Sequence, residues 1–125
     1  MGFDLAQRLV TDDLWQLVEP LLPALGFRRQ GGGTAPVDER KVFTAVVYVL
    51  MSECPWRQLP PRFDVAPATA HRRFTAWTRA DLWRSLQDRA EEQMSSFREQ
   101  RWVAAIAAAA RARAMSRAAT RDAPI

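Results

Sequence analysis

The sequence predicts an all-α protein, a small helical bundle, and three observations carry that prediction. Apolar residues recur at three- and four-residue intervals in several separate stretches. Residues suited to helix starts, Thr11 with Asp12 and Asp13, and Asp38 with Glu39, stand just before two of those stretches. The chain also closes on an alanine-rich segment from Trp102, and alanine is the strongest helix former. With 125 residues, 48% of them hydrophobic, there is material for one small core and a single domain.

Residues 1–10 are short and mixed, which predicts fraying. Thr11 then caps a helix whose apolar stripe is Leu14, Leu17, Val18, Leu21 and Leu22. Trp15 sits at its edge, and Pro20 kinks or stops it. From Pro23 to Pro36 the pattern breaks, and "RRQGGGTAP" reads as a loop. Its Arg28 and Arg29 suit a basic arm touching DNA backbone or minor groove, or a plain solvated linker. Asp38 opens "KVFTAVVYVLM", apolar on most sides and too long for a usual strand, hence a helix in the middle of the core. Pro55, Pro60 and Pro61 leave about one helical turn around Trp56 to Leu59, with Trp56, Leu59 and Phe63 covering the end of the core.

The segment "APATAHRRFTAWTRADLW" is the most informative. At about 100° per residue with Phe74 as reference, Ala70 and Trp77 share its stripe, while Thr69, Arg72, Ala76 and Arg79 cluster opposite. Arg73 and His71 fall on the flanks, so both adjacent arginines are expected off the core. Small residues between arginines let a helix backbone approach another surface, with guanidiniums reaching phosphates or base edges. A long helix, a proline-fenced turn and a basic second helix make a helix-turn-helix, with Ala66 to Arg79 as the recognition helix. Residues 9–98 are the expected DNA-binding domain. Asp81 restarts a helix running through "DLWRSLQDRAEEQMSSFREQ", and residues 99–125 form an Ala/Arg-rich helix or tail with too little bulk to pack against much.

Composition narrows the function classes. A net charge of +4 and an excess of arginine suit a polyanionic partner. Arginine enrichment also follows from a GC-rich genome. Cys54 is the lone cysteine, which predicts a reducing, cytoplasmic setting, and its expected state is a partly buried thiol. His71 is the lone histidine, so neither a metal cluster nor a cofactor site is expected. No apolar run approaches the ~20 residues of a membrane span.

The stretches "LVTDDLWQLVEPLLP", "VDERKVFTAVVYVLMSECPWRQLPPRF" and "ATAHRRFTAWTRADLW" resemble, in this order and spacing, the N-terminal domain of bacterial insertion-sequence transposases with a DDE catalytic core. The resemblance runs from Leu9 to Ala90. It implies a helix-turn-helix unit binding double-stranded DNA at terminal inverted repeats, with Arg72, Arg73 and their neighbours Thr69, Ala76 and Arg79 on that helix as contact residues. It also implies a following RNase-H-like domain, which the chain would stop short of. On that resemblance "RWVAAIAAAARARA" is similar to a degraded first catalytic strand, with Ala108 in the aspartate's place. Two-metal chemistry needs clustered carboxylates, whereas Asp12, Asp13, Asp38 and Glu39 read as helix caps. No transposase activity is therefore expected from this chain alone. The other readings are an interaction protein pairing with itself or an intact transposase through an exposed apolar patch at Trp83 and Leu86, an enzyme completed by a frameshifted product, and a remnant without a role.

Overall fold

The computed structural model describes residues 5–22 and 38–122, with side chains as far as Ser116. Among the described residues there are six α-helices and no strand: α1 (Leu5–Leu9), α2 (Asp12–Val18), α3 (Glu39–Ser52), α4 (Pro67–Arg79), α5 (Leu82–Gln93) and α6 (Phe97–Asp122). Short 3₁₀ turns follow α2 at Glu19–Leu21 and bridge α3 to α4 at Trp56–Gln58 and Pro61–Phe63. The protein is an all-α bundle, as its sequence predicts. The arm containing Arg28 and Arg29 lies outside the described residues.

Local chemistry sets the boundaries. Thr11 Oγ1 accepts a hydrogen bond from the Leu14 amide at 3.1 Å, which satisfies one of the free donors at the start of α2. Pro20 tightens the end of that helix into a 3₁₀ turn. Asp38 Oδ1 caps α3 by accepting from the amides of Arg40 and Lys41 at 3.0 and 3.3 Å. The helix ends at Glu53, which takes the left-handed conformation at φ 58°. Val42, Phe43, Ala45, Val46, Val47 and Val49 of α3 are completely buried. A helix buried on nearly every side must be the one around which the others pack.

Phe43 is the meeting point. Its ring lies 6.1 Å from Trp15 of α2, 5.8 Å from Trp77 of α4 and 6.2 Å from Trp83 of α5. Such tilted and offset aromatic pairs add to the area they bury.

Three expectations need correction. Residues 5–10 do not fray: α1 forms over Leu5–Leu9, Val10 is fully buried, and the Trp102 indole N–H donates to the Leu9 carbonyl at 2.9 Å. The helix from Asp81 does not run on to Gln100. It stops at Gln93, and α6 starts afresh with Ser96 Oγ accepting from the Glu99 amide at 3.2 Å. Ser96 with Glu99 three residues later is the spacing of a helix N-terminus, and buried Met94 fixes the corner. Finally, α6 is not a tail. Val103, Ile106, Ala107 and Ala110 are fully buried in the same core. Small side chains allow close helix approach, so lack of bulk is compatible with dense packing. The "RWVAAIAAAARARA" stretch is likewise helical rather than a strand, and Ala108 is exposed on α6.

Because α6 belongs to the core, Ile106→Ala is expected to destabilise the whole bundle by about 2–5 kcal/mol in denaturant unfolding. A loss below about 0.5 kcal/mol would mean that α6 docks too loosely to count as core.

Candidate nucleic-acid interface

The segment with the basic helix is α4. Pro67 occupies its first turn, where the missing N–H costs nothing, and Ala70, Arg73, Phe74 and Trp77 are its buried residues. Two neighbours grip it from opposite flanks, and they define which face is left over.

On one flank α3 holds it through an ion pair. The Arg73 guanidinium donates from Nη1 to Glu39 Oε1, with the arginine side chain 7% exposed and the glutamate 37%. The expectation that both adjacent arginines lie off the core therefore holds for Arg72 and fails for Arg73. The reason is the choice of reference angle. Arg73 precedes Trp77 by four residues, which puts the two about 40° apart on one face. Trp77 is fully buried and Phe74 is 3% exposed, so the buried stripe is centred nearer Trp77 than Phe74. The arginine on that side goes inside with it.

On the other flank sits the turn Trp56–Gln58. The Trp56 ring stacks on His71 at 5.3 Å with planes 19° apart, and meets Phe74 at 5.3 Å. The Arg113 guanidinium of α6 lies 5.0 Å from the centre of the Trp56 ring and donates to the Cys54 carbonyl at 2.8 Å. Cys54 itself is a half-buried thiol, as expected. Sequence inspection gave Trp56 and Arg113 no part in this bracing. Nothing in their spacing signals it, since 57 residues separate them. His71 is a stacked boundary residue.

Between the two flanks, Ala68, Arg72 and Arg79 are exposed, while Thr69, Thr75 and Ala76 are half-buried. Thr69, Arg72, Ala76 and Arg79 thus share one accessible strip, with Arg72 Nη2 donating weakly to Thr69 Oγ1 at 3.5 Å. The charge around that strip is one-sided. Residues 54–80 hold five arginines and a single carboxylate, Asp64, whereas 81–93 hold four carboxylates and two arginines. Asp64 is already engaged by Lys41 Nζ at 3.0 Å. That hydrogen bond and the Asp64 charge, with a smaller contribution from Asp38, hold the lysine's pKa above its ordinary value. Among the described residues no carboxylate pairs with Arg57, Arg72 or Arg79, while Arg40 and Arg84 pair with Asp12 and Asp81. Uncompensated guanidiniums on a rigid helix are what a polyanion can use.

Other features lie elsewhere. Trp83 and Leu86 are 3% and 0% exposed, so no exposed apolar patch around them favours the interaction-protein reading. An apolar groove of about 600 Å³ runs between α1, α2 and the start of α6, away from α4. No group of three or more His, Cys, Asp or Glu among the described residues could hold a metal ion, and no helix is long and apolar enough to cross a membrane.

The two adjacent arginines should separate in mutagenesis. Arg72→Ala is expected to leave the melting temperature within a degree or so of wild type. Arg73→Ala strands part of Glu39 and should cost about 1–3 kcal/mol, several degrees for a domain of this size. Equal melting temperatures for the two variants would contradict the burial of Arg73.

Residues 10–87 match the family described as "Putative transposase of IS4/5 family". Among curated proteins, the chain is 35% identical over 86 residues to the "Insertion element IS402 uncharacterized 16.2 kDa protein" of Burkholderia cepacia. The match covers 67% of this chain and 58% of that relative. No solved structure matches. The match covers α2, α3, the proline-rich connection, α4 and the first half of α5, and on that extent the chain belongs to the IS4/5 transposase family of insertion elements.

Proposed function

We propose that this chain is a DNA-binding module of an insertion-sequence transposase, and that α4 reads the terminal inverted repeats of its element. The observation that carries the reading is the accessible strip of α4, where Arg72 and Arg79 have no carboxylate partner among the described residues and small residues lie between them. In this arrangement α3 is the supporting helix and α4 the recognition helix of a helix-turn-helix. The connection spans residues 53–66 and contains two 3₁₀ turns, longer than the three or four residues usual for that motif. The length is compatible with docking because Trp56 fastens the connection onto α4. Thr69, Arg72, Ala76 and Arg79 are the contact set. Arg73 contributes by fixing the helix rather than by reaching DNA. Arg28 and Arg29, outside the described residues, supply a further backbone contact.

The module holds DNA without cutting it. Asp12, Asp38, Glu39 and Asp64 serve as caps and ion-pair partners in the fold, which leaves them unavailable to clamp the paired ions of phosphoryl transfer. Bound at an element's ends, the chain blocks an intact transposase or recruits it.

Fluorescence anisotropy with duplexes from the element's ends, against a scrambled duplex across a salt series, tests this. The expected result is tighter binding to the true ends, with a log–log salt slope of about −3 to −5, as four or five phosphate contacts give. Equal, weak binding to both duplexes would overturn sequence-specific recognition.

A further inference from the structure

The exposed strip of α4 has a wall on one side, and that wall is basic. Going around the helix from the buried stripe, His71 marks the flank on which the Trp56–Gln58 turn packs, and the accessible residues Ala68, Thr75, Arg79 and Arg72 come next. Arg57 and Arg72 are each the residue following one partner of the stacked pair, whose ring centres are 5.3 Å apart. Both arginines are exposed, and neither has a carboxylate partner among the described residues. The Trp56–Gln58 turn thus brings an exposed arginine from a second element to the His71 flank of α4.

The turn is held firmly enough for a defined contact. Pro55 precedes it, and Pro60 and Pro61 follow Leu59, so the backbone has little freedom on either side. Trp56 is fixed by His71 and Phe74 from α4 and by the Arg113 guanidinium from α6. The Arg113 bond to the Cys54 carbonyl ties the entry of the turn to α6 as well. Arg62, by contrast, lies over the Phe63 ring at 5.8 Å, beside Lys41 and Asp64, and lines a separate recess with Arg40.

We propose that the DNA surface extends beyond α4 onto the Trp56–Gln58 turn, with Arg57 gripping a backbone phosphate on the same duplex that α4 reads, and Arg113 acting from α6 as the positioning residue for that grip. The proposal rests on the reading of α4 as the DNA-reading helix. Phosphate contacts fix register and orientation while carrying no base information, so Arg57 contributes equally on matched and scrambled sequence.

The test is anisotropy with the full chain on element-end and scrambled duplexes, from 50 to 200 mM salt, for Arg57→Ala and for Arg98→Ala. Arg98 is an equally exposed arginine at the start of α6, lining the apolar groove away from α4. Arg57→Ala is expected to weaken binding to both duplexes on the order of fivefold and to flatten the salt slope by about 0.9, the loss of one phosphate contact. Arg98→Ala should leave the slope unchanged. Arg113→Met should weaken binding without removing the Arg57 charge, and Arg113→Lys, which keeps a donor and a cation over Trp56, should recover part of it. If Arg57→Ala matches Arg98→Ala while Arg72→Ala with Arg79→Ala abolishes binding, α4 alone makes the contact and this inference fails. If the wild-type chain binds neither duplex, the inference and the proposed function fall together.

Discussion

The burial of α3 on nearly every side is the constraint from which the rest follows. With Val42, Phe43, Val46, Val47 and Val49 all removed from water, every other helix must present an apolar face to it or to its neighbours. Phe43 concentrates that demand, because aromatic rings from α2, α4 and α5 converge on it. Trp77 and Trp83 are thereby committed to the interior. Buried there, neither can serve as a stacking platform for bases, and the proposed contact surface consists of the arginines and small residues outside. Trp77 illustrates the division. It fills the space under α4, and the same helix turns Arg72 outward on the opposite side.

Electrostatics then divides the surface. Cations near the start of α3 are neutralised by Asp12, Asp64 and Glu39, and these pairs fasten α2, the connection and α4 to that end of the helix. Exposed pairs of this kind contribute little each. The Arg73–Glu39 pair is different because its cation is buried, and removing either partner leaves the other poorly solvated. On α4 and its adjoining turn, Arg57, Arg72 and Arg79 lie outside those pairs. The structural ion pairs and the proposed contact surface are therefore products of one arrangement of charge, with Arg72 and Arg73 as its two sides.

Much of this was legible in the sequence, and the misses have physical causes. Thr11 and Asp38 announced their caps because capping is local chemistry, readable from residue type and position. The stripes of α2 and α3 were readable because helical periodicity is likewise local. Arg73 was misplaced because the wheel was referenced to Phe74 rather than Trp77, and its partner Glu39, 34 residues earlier on α3, has no place on a single-helix wheel. The break at Met94 was missed although Ser96 and Glu99 had the spacing of a helix start. Hydrophilic sequence on both sides of the break masked it. The bracing of Trp56 by Arg113 is long-range and leaves no local mark.

The alanine-rich helix shows why bulk is a poor guide to packing. Ala107 and Ala110 of α6 are completely buried in the bundle core, where small side chains let neighbouring helices approach closely. That closeness has a consequence one turn further on. A helix held near the core brings Arg113 within 5.0 Å of the Trp56 ring, where a long side chain can lie over the indole and still reach the Cys54 carbonyl. Larger residues at 107 and 110 would push α6 outward and take Arg113 off the ring. The alanines thus bear on the connection between α3 and α4, because they let α6 carry Arg113 to the Trp56 ring.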